Sequence, residues 1–291
     1  MNTQNLKTVV ITGATGGIGF HSAIGIAKDV DRVIITGRNR ERGEAAVQRI
    51  IADSGNSNVE LVLGDVSSNK SVDELARALL AKTSKIDVLV NNAGYLGGEY
   101  VKNADGVEMH FAVNVVAPFK LTHTLLPALE MAESARVLNI TGGDKPAEID
   151  PDNLQAEKGF RGLMTYAHSK STLEALTMAM SKALEPKGVT VNVLFPGRAS
   201  TTMSRSLKPS SLPGAFKIMY PLFKFMFKED GGKSARKAAK STIWGATSPD
   251  LNGVTGRFYD TNVKEQKLHP SAYDESVQQR ILDEIELAAH K

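Results

Sequence analysis

Residues 165–170 read TYAHSK. Tyr166 and Lys170 stand four apart, so on a helix they share one face. An ammonium beside a phenol favours the phenolate and moves its pKa down toward neutrality. A tyrosine tuned in this way passes a proton to or from a substrate oxygen. Such pairs are common on helix faces, so the chemistry needs further parts. One candidate lies in VLNITGG, residues 137–143, where an apolar strand runs into glycines. Thr141 is the only side-chain hydroxyl at that end: either it is a reagent, or it is the last residue of a strand.

A second group of residues suits a cofactor. TGATGGIG, Thr12 to Gly19, carries Gly13, Gly17 and Gly19 in a G-x-x-x-G-x-G spacing. A tight strand-to-helix turn needs residues without a Cβ, and the helix start then offers free N–H groups and a positive dipole end to a pyrophosphate. Gly13, Thr15, Gly17, Ile18 and Gly19 are the candidate contacts. The next strand ends ITGRNRERG, where an Asp or Glu would hold a ribose 2′-hydroxyl, and none occurs before Glu41. Arg38 occupies the region, with Arg40 and Arg42 nearby. A guanidinium suits a 2′-phosphate, which favours NADP(H) over NAD(H), Arg38 being the leading residue. In LVLGDV, Asp65 with Val66 follows a third strand, where a carboxylate can accept from an adenine amino group. In VNNAG, Asn92, Ala93 and Gly94 end a fourth, where small residues let the backbone approach a ribose.

The elements needed to hold these residues are legible. Candidate strands are Thr8–Thr12, Arg32–Thr36, Val59–Leu63, Ile86–Val90, Arg136–Ile140 and Val189–Phe195, with Gly256–Tyr259 a weaker seventh. Helical stretches separate them, among them Arg40–Ala52, Val72–Lys82, Gly106–Glu130 and Met164–Leu184. Continuous apolar strands alternating with helices predict a Rossmann-type, doubly wound α/β fold with a mostly parallel seven-stranded sheet covered on both faces. With no repeat and no Pro-, Gly- or Ser-rich linker, one domain over 1–291 is the simplest account, its cofactor half about 1–140 and its catalytic and lid half about 141–291.

Composition narrows the function. The 291 residues, 42 % hydrophobic, can bury one large core. A net charge of +3 with scattered Lys and Arg gives little reason to expect nucleic acid as a partner. The absence of cysteine excludes disulfides, thiol catalysis and Cys-ligated zinc, and no metal is expected. MNTQNLKTVVITG lacks the regions of a signal peptide, and no apolar run approaches the roughly 18 residues a membrane span needs. The expectation is a soluble cytoplasmic protein, monomeric or homo-oligomeric.

Taken together, TGATGGIG, NNAG, Asn114 of FAVNVV, Tyr166-x-x-x-Lys170 and PGRAST, Pro196 to Thr201, resemble the short-chain dehydrogenases/reductases. DPDNLQAEKGFRGLMTYAHSK and SPDLNGVTGRFYDTNVKEQKLHPSAYDE narrow the likeness to the retinol-dehydrogenase and protochlorophyllide-reductase-like branch. The resemblance runs from Lys7 to about residue 285 and implies a mechanism. Tyr166 would give a proton to the developing alkoxide. Lys170 would hold the nicotinamide ribose hydroxyls, and Asn114 would help anchor a proton-relaying water. Thr201 would hydrogen-bond the carboxamide in a pocket shaped by Pro196 and Gly197.

The family's fifth strand normally ends near a serine whose hydroxyl also binds the reacting oxygen, and that position is Gly142 here. Three readings follow. Thr141 stands in, although neighbours on an extended segment point opposite ways. Or Tyr166 is the single donor, at a cost on the order of a hundredfold in rate that a reactive carbonyl or activated alkene tolerates. Or the scaffold serves an isomerisation, dehydration, cyclisation or cofactor sensing. The second accounts best for the intact cofactor frame. Thr141, Gly142 and Gly143 would line the pocket.

LPGAFKIMYPLFKFMFK, residues 212–228, follows PGRAST and holds four of the ten phenylalanines, so it is the best candidate for a substrate lid. Phe216, Met219 and Phe223 recur at helical spacing opposite Lys217, Lys224 and Lys228, with Pro221 expected to kink or divide the helix. An apolar, Met-rich face suits a lipophilic small-molecule substrate. A core-facing helix or a dimer contact would read the same way. A basic amphipathic helix can also rest on an anionic membrane surface, although one short helix binds weakly.

Overall fold

A computed structural model describes residues 6–142, 147–197, 199–201, 209, 220–226, 228 and 230–289. Strand β1 (Thr8–Ile11) is wholly buried and leads through the glycine turn into helix α1 (Gly17–Ile26). Then come β2 (Arg32–Gly37), α2 (Arg40–Ser54), β3 (Val59–Leu63), α3 (Asn69–Leu80) and β4 (Val88–Asn91). The next segment, expected as one helix over Gly106–Glu130, is subdivided. A turn of α4 (Met109–Phe111) passes through a π turn, Ala112–Val116, into α5 (Ala117–Thr124) and then α6 (Leu126–Leu129). Pro118 and Pro127, each early in its segment, lack the N–H that a continuous ladder needs. The chain continues through β5 (Ala135–Ile140), α7 (Gly162–Leu184), β6 (Val189–Leu194), α8 (Tyr220–Met226), α9 (Lys233–Thr247), β7 (Phe258–Tyr259), β8 (Glu265–Gln266) and α10 (Glu275–Ala289).

The sheet order is β3-β2-β1-β4-β5-β6-β7-β8. All neighbours are parallel except β7 and β8, which pair antiparallel. The expected seven strands are therefore present, with an eighth, two-residue exposed edge strand that carries no apolar run to announce it. β5 and β6 are buried at every residue, as strands covered on both faces must be. One apolar layer packs α3, α5, α7 and α10 against the sheet around Phe111, Leu121, Leu173 and Ile281. The other packs α1, α2 and α9 around Ile26, Ile50 and Ala246. Each fully buried aliphatic side chain contributes ~1.5–3 kcal/mol to the fold. No described helix is long and apolar enough to cross a membrane.

This order reverses direction between β1 and β4, and the crevice at their carboxyl ends is where such sheets bind ligands. The starts of α2 and α3 are capped by side chains, Asn39 accepting from the Arg42 N–H and Ser68 from the Ser71 N–H. The start of α1, in that crevice, is Gly16 with no side-chain cap. Its first amides remain available to an outside acceptor.

Candidate active site

The crevice is built by close backbone approach. Gly13 adopts φ +64°, and a Cβ there would lie 2.9 Å from the Ala93 Cα. Thr12 stitches the two strand ends: its hydroxyl accepts the Asn92 and Ala93 N–H groups, each at 3.0 Å, and donates to the Val90 carbonyl at 3.3 Å. Asn92 returns the favour with its amide, donating to the carbonyls of Thr12 at 2.9 Å and Gly13 at 3.2 Å. Gly19 lets that amide close in, since a Cβ there would overlap it. Thr15 lies against Gly37, Ile18 packs on Ala199, Ala235 and Ala238, and Thr201 touches Gly17. Gly197, in the positive-φ region at +84°, follows Pro196 at the end of β6. Gly94 leaves room for Lys170 Nζ and Asn114 Oδ1, which a Cβ would meet at 3.6 and 3.3 Å.

At the far end of the crevice the three arginines separate. Arg38 is 74 % exposed, with Nη1 3.7 Å from Asp65 Oδ2. Arg40 turns to Glu44 at 3.4 Å, along its own helix. Arg42 reaches back toward the glycine turn, its Nη2 3.7 Å from where a Gly16 Cβ would stand. Asp65 also accepts the Ser67 N–H at 2.9 Å, which fixes the turn that carries Val66. A glycine cradle that a Cβ would fill, uncapped helix amides and two cations at the adenosine end fit a nicotinamide dinucleotide.

At the chemical end, Tyr166 and Lys170 do share a face of α7, but their electrostatics run opposite to expectation. Burial pushes the Tyr166 phenol up to about 12 and pulls Lys170 down to about 8. The Lys170 ammonium, 3 % exposed, donates to the Ile140 carbonyl at 3.0 Å. The Tyr166 hydroxyl fills the space beside Gly142, where a Cβ would overlap it.

Thr141 is buried, and its hydroxyl donates to Glu174 Oε1 at 2.6 Å. Glu174 lies one turn beyond Lys170, and burial pushes its carboxyl up to about 7, against the Thr141 hydrogen bond and Lys170. Gly143, Phe216 and Met219 lie outside the described residues, and Phe223 is described only as a backbone position within α8. Pro221 is the second residue of that helix.

Asn114 sits in the π turn with its side chain fully engaged. Its amide donates to the Tyr95 carbonyl at 3.0 Å and the Ser169 hydroxyl at 2.9 Å, and its carbonyl oxygen accepts the Tyr95 N–H at 2.9 Å. Ser169 passes the chain on to the Tyr166 carbonyl at 2.7 Å. The side chain therefore braces the loop after β4 against α7, a role that a lone helical Asn does not announce. π turns are frequent at functional sites.

Sequence reasoning also missed a buried dyad. His110 Nε2 accepts the Gly97 N–H at 3.0 Å, which leaves the proton on Nδ1, 2.7 Å from Glu108 Oε1. The His110 ring stands edge-on to Tyr95, centroids 5.0 Å apart, and to Tyr166 at 6.5 Å. Phe160 lies against it, and Tyr100 against Phe160, so one wall beside Tyr166 is aromatic. The E-x-H spacing in VEMHF was the available signal. Beneath the site, Asn91 donates to Asn139 at 2.9 Å and Asn139 to Thr177 at 2.9 Å, a buried ladder tying β4, β5 and α7 together.

Known proteins with this arrangement are numerous. The short chain dehydrogenase family model matches residues 7–211. Retinol dehydrogenase 13 of Mus musculus is 32 % identical over 96 % of this chain and 82 % of its own length. Retinol dehydrogenase 14 of Homo sapiens is 33 % identical over 95 % of this chain and 84 % of its own. Among solved structures, the Pseudomonas aeruginosa RhlG/NADP active-site complex superposes with a TM-score of 0.63 at 26 % identity, covering 87 % of this chain and 94 % of that one. With the sheet order, the glycine crevice and the Tyr166–Lys170 helix in agreement, the chain belongs to the short-chain dehydrogenase/reductase family, in its retinol-dehydrogenase-like branch.

Proposed function

We propose that this protein is an NADP(H)-dependent reductase of the carbonyl group of a lipophilic small molecule, with Tyr166 as the proton donor. The observation that carries this reading is the Tyr166 hydroxyl, set beside Gly142 with Lys170 one turn along the same helix. A bound dihydronicotinamide would supply the hydride, and Tyr166 would give its proton to the oxygen that becomes an alcohol. Lys170 would hold the ribose hydroxyls, and Thr201, beside Pro196 and Gly197, the carboxamide. Asp65 and Val66 would meet the adenine, and Arg38 the 2′-phosphate. Asn114 keeps the loop after β4 in register with the phenol.

A lipophilic substrate is supported by the aromatic wall around His110 and by α8, where Leu222 and Phe225 are 51 % and 74 % exposed. It is supported too by relatives that carry the name retinol dehydrogenase. The test is the loss of NADPH absorbance with a panel of hydrophobic aldehydes, ketones and enones. Tyr166→Phe is expected to lower the rate by about 10²–10⁴ while NADPH still binds. Unchanged turnover in that variant, or a purified chain without affinity for either coenzyme, ends this reading.

A further inference from the structure

Three ionisable side chains follow one another along α7 at single-turn spacing: Tyr166, Lys170 and Glu174. The last has no part in the mechanism above. It is 4 % exposed, and a buried carboxylate is costly unless a cation or strong donors offset it. Two successive residues of the β5 end hold the pair. The Ile140 carbonyl accepts from Lys170 at 3.0 Å, and the Thr141 hydroxyl donates to Glu174 at 2.6 Å. A hydrogen bond to Thr141 alone would be served as well by a neutral Gln, so the acid at this position needs a separate explanation.

We infer that Glu174, clamped by Thr141, is a positioning residue that keeps the Lys170 ammonium charged, and so able to hold the coenzyme ribose, as pH rises. The inference rests on the reading of Lys170 just proposed. The groups around Lys170 leave Glu174 as the acid that acts on it. From α7 it meets Tyr166, a neutral phenol, and from β5 the Ile140 carbonyl and Thr141. From the loop after β4 and the π turn come Gly94 and Asn114, both uncharged. His110, across the Tyr166 ring, is engaged with Glu108. Among the described residues, Glu174 is the single charge found to raise Lys170, and Lys170 the single charge found to lower Glu174.

Burial opposes both charges, lowering Lys170 and raising Glu174, and one helical turn along α7 each is the opposite charge that offsets the other. Removing the Glu174 carboxylate lowers the pH at which Lys170 turns neutral, by roughly one pH unit for a nearby charge.

The experiment compares wild type, Glu174→Gln and Glu174→Asp from neutral to alkaline pH. Two quantities are read, kcat/KM for NADPH-driven reduction of an aliphatic aldehyde and NADPH affinity by the coenzyme's own fluorescence. In Glu174→Gln the alkaline arm of both profiles is expected roughly one pH unit lower. Activity at neutral pH should fall as well, because the arm now reaches it, and Glu174→Asp should recover part of the shift. A Gln variant that is folded, binds NADPH and keeps the wild-type arms overturns the inference, leaving the functional reading intact if Tyr166→Phe is dead. Wild type that binds NADPH but reduces nothing ends the functional reading, and the binding profile still decides Glu174. A chain that binds no NADPH ends both.

Discussion

The Tyr166 hydroxyl stands where a side chain at position 142 would begin. Glycine at the end of β5 and the position of the phenol are therefore one feature. Where the family resemblance leads one to expect a serine the chain has Gly142, and the Tyr166 hydroxyl lies in the space beside it. Gly142→Ala is expected to push the phenol aside and to lower turnover on the order of a hundredfold. NADPH affinity should be nearly unchanged, because the crevice is held by Thr12 and Asn92 rather than by this residue. Steady-state rates and coenzyme titration check both halves. A faster Gly142→Ala enzyme would count against Tyr166 as the donor in its present position.

Arg38 is the test of coenzyme choice. It is exposed at the adenosine end with one carboxylate neighbour at 3.7 Å. Arg38→Ala should weaken NADPH binding by about 10- to 100-fold, the worth of a charge-assisted hydrogen bond, and leave NADH nearly untouched. Equal losses for both coenzymes would assign the arginine to Asp65 rather than to a phosphate.

Asn114→Ala removes three hydrogen bonds at once, two to the Tyr95 backbone and one to Ser169. Leaving buried partners unsatisfied should cost about 2–4 kcal/mol. In a chain of this size that lowers Tm by roughly 5–10 °C, measurable by calorimetry. Activity should fall further than stability explains, because the loop after β4 loses its register with Tyr166.

The buried acid on α7 makes a stability prediction with a definite sign. The carboxyl of Glu174 is raised in the fold from 4.5 to about 7, so the folded chain holds this proton more tightly than the unfolded one. Its contribution is present below about 4.5 and is lost as pH rises to about 7, by ~3 kcal/mol. Lys170, depressed from 10.5 to about 8, acts oppositely: stability is regained as pH climbs between those values. Urea unfolding of Glu174→Gln at a series of pH values should lack the loss between 4.5 and 7. A variant that tracks wild type through that window would show that Glu174 titrates normally.

Much of this protein was legible before any coordinate. Strand runs such as Val33–Ile35 and Val88–Val90 are apolar because both faces of a parallel sheet are covered, so composition alone marks them. TGATGGIG declares a phosphate turn because only residues without Cβ pass so close to Ala93. The spacing of Tyr166 and Lys170 fixes a shared helix face, since the period of the helix is local. What the sequence could not decide was where polar atoms find partners across the fold. Lys170 meets Ile140 from 30 residues away, Thr141 meets Glu174 from 33, and Asn114 meets Ser169 from 55. Desolvation, which comes only with packing, reverses the expected tuning of Tyr166. Ionisation answers to the surroundings a group is buried in, and those surroundings exist only once the sheet and α7 have packed together.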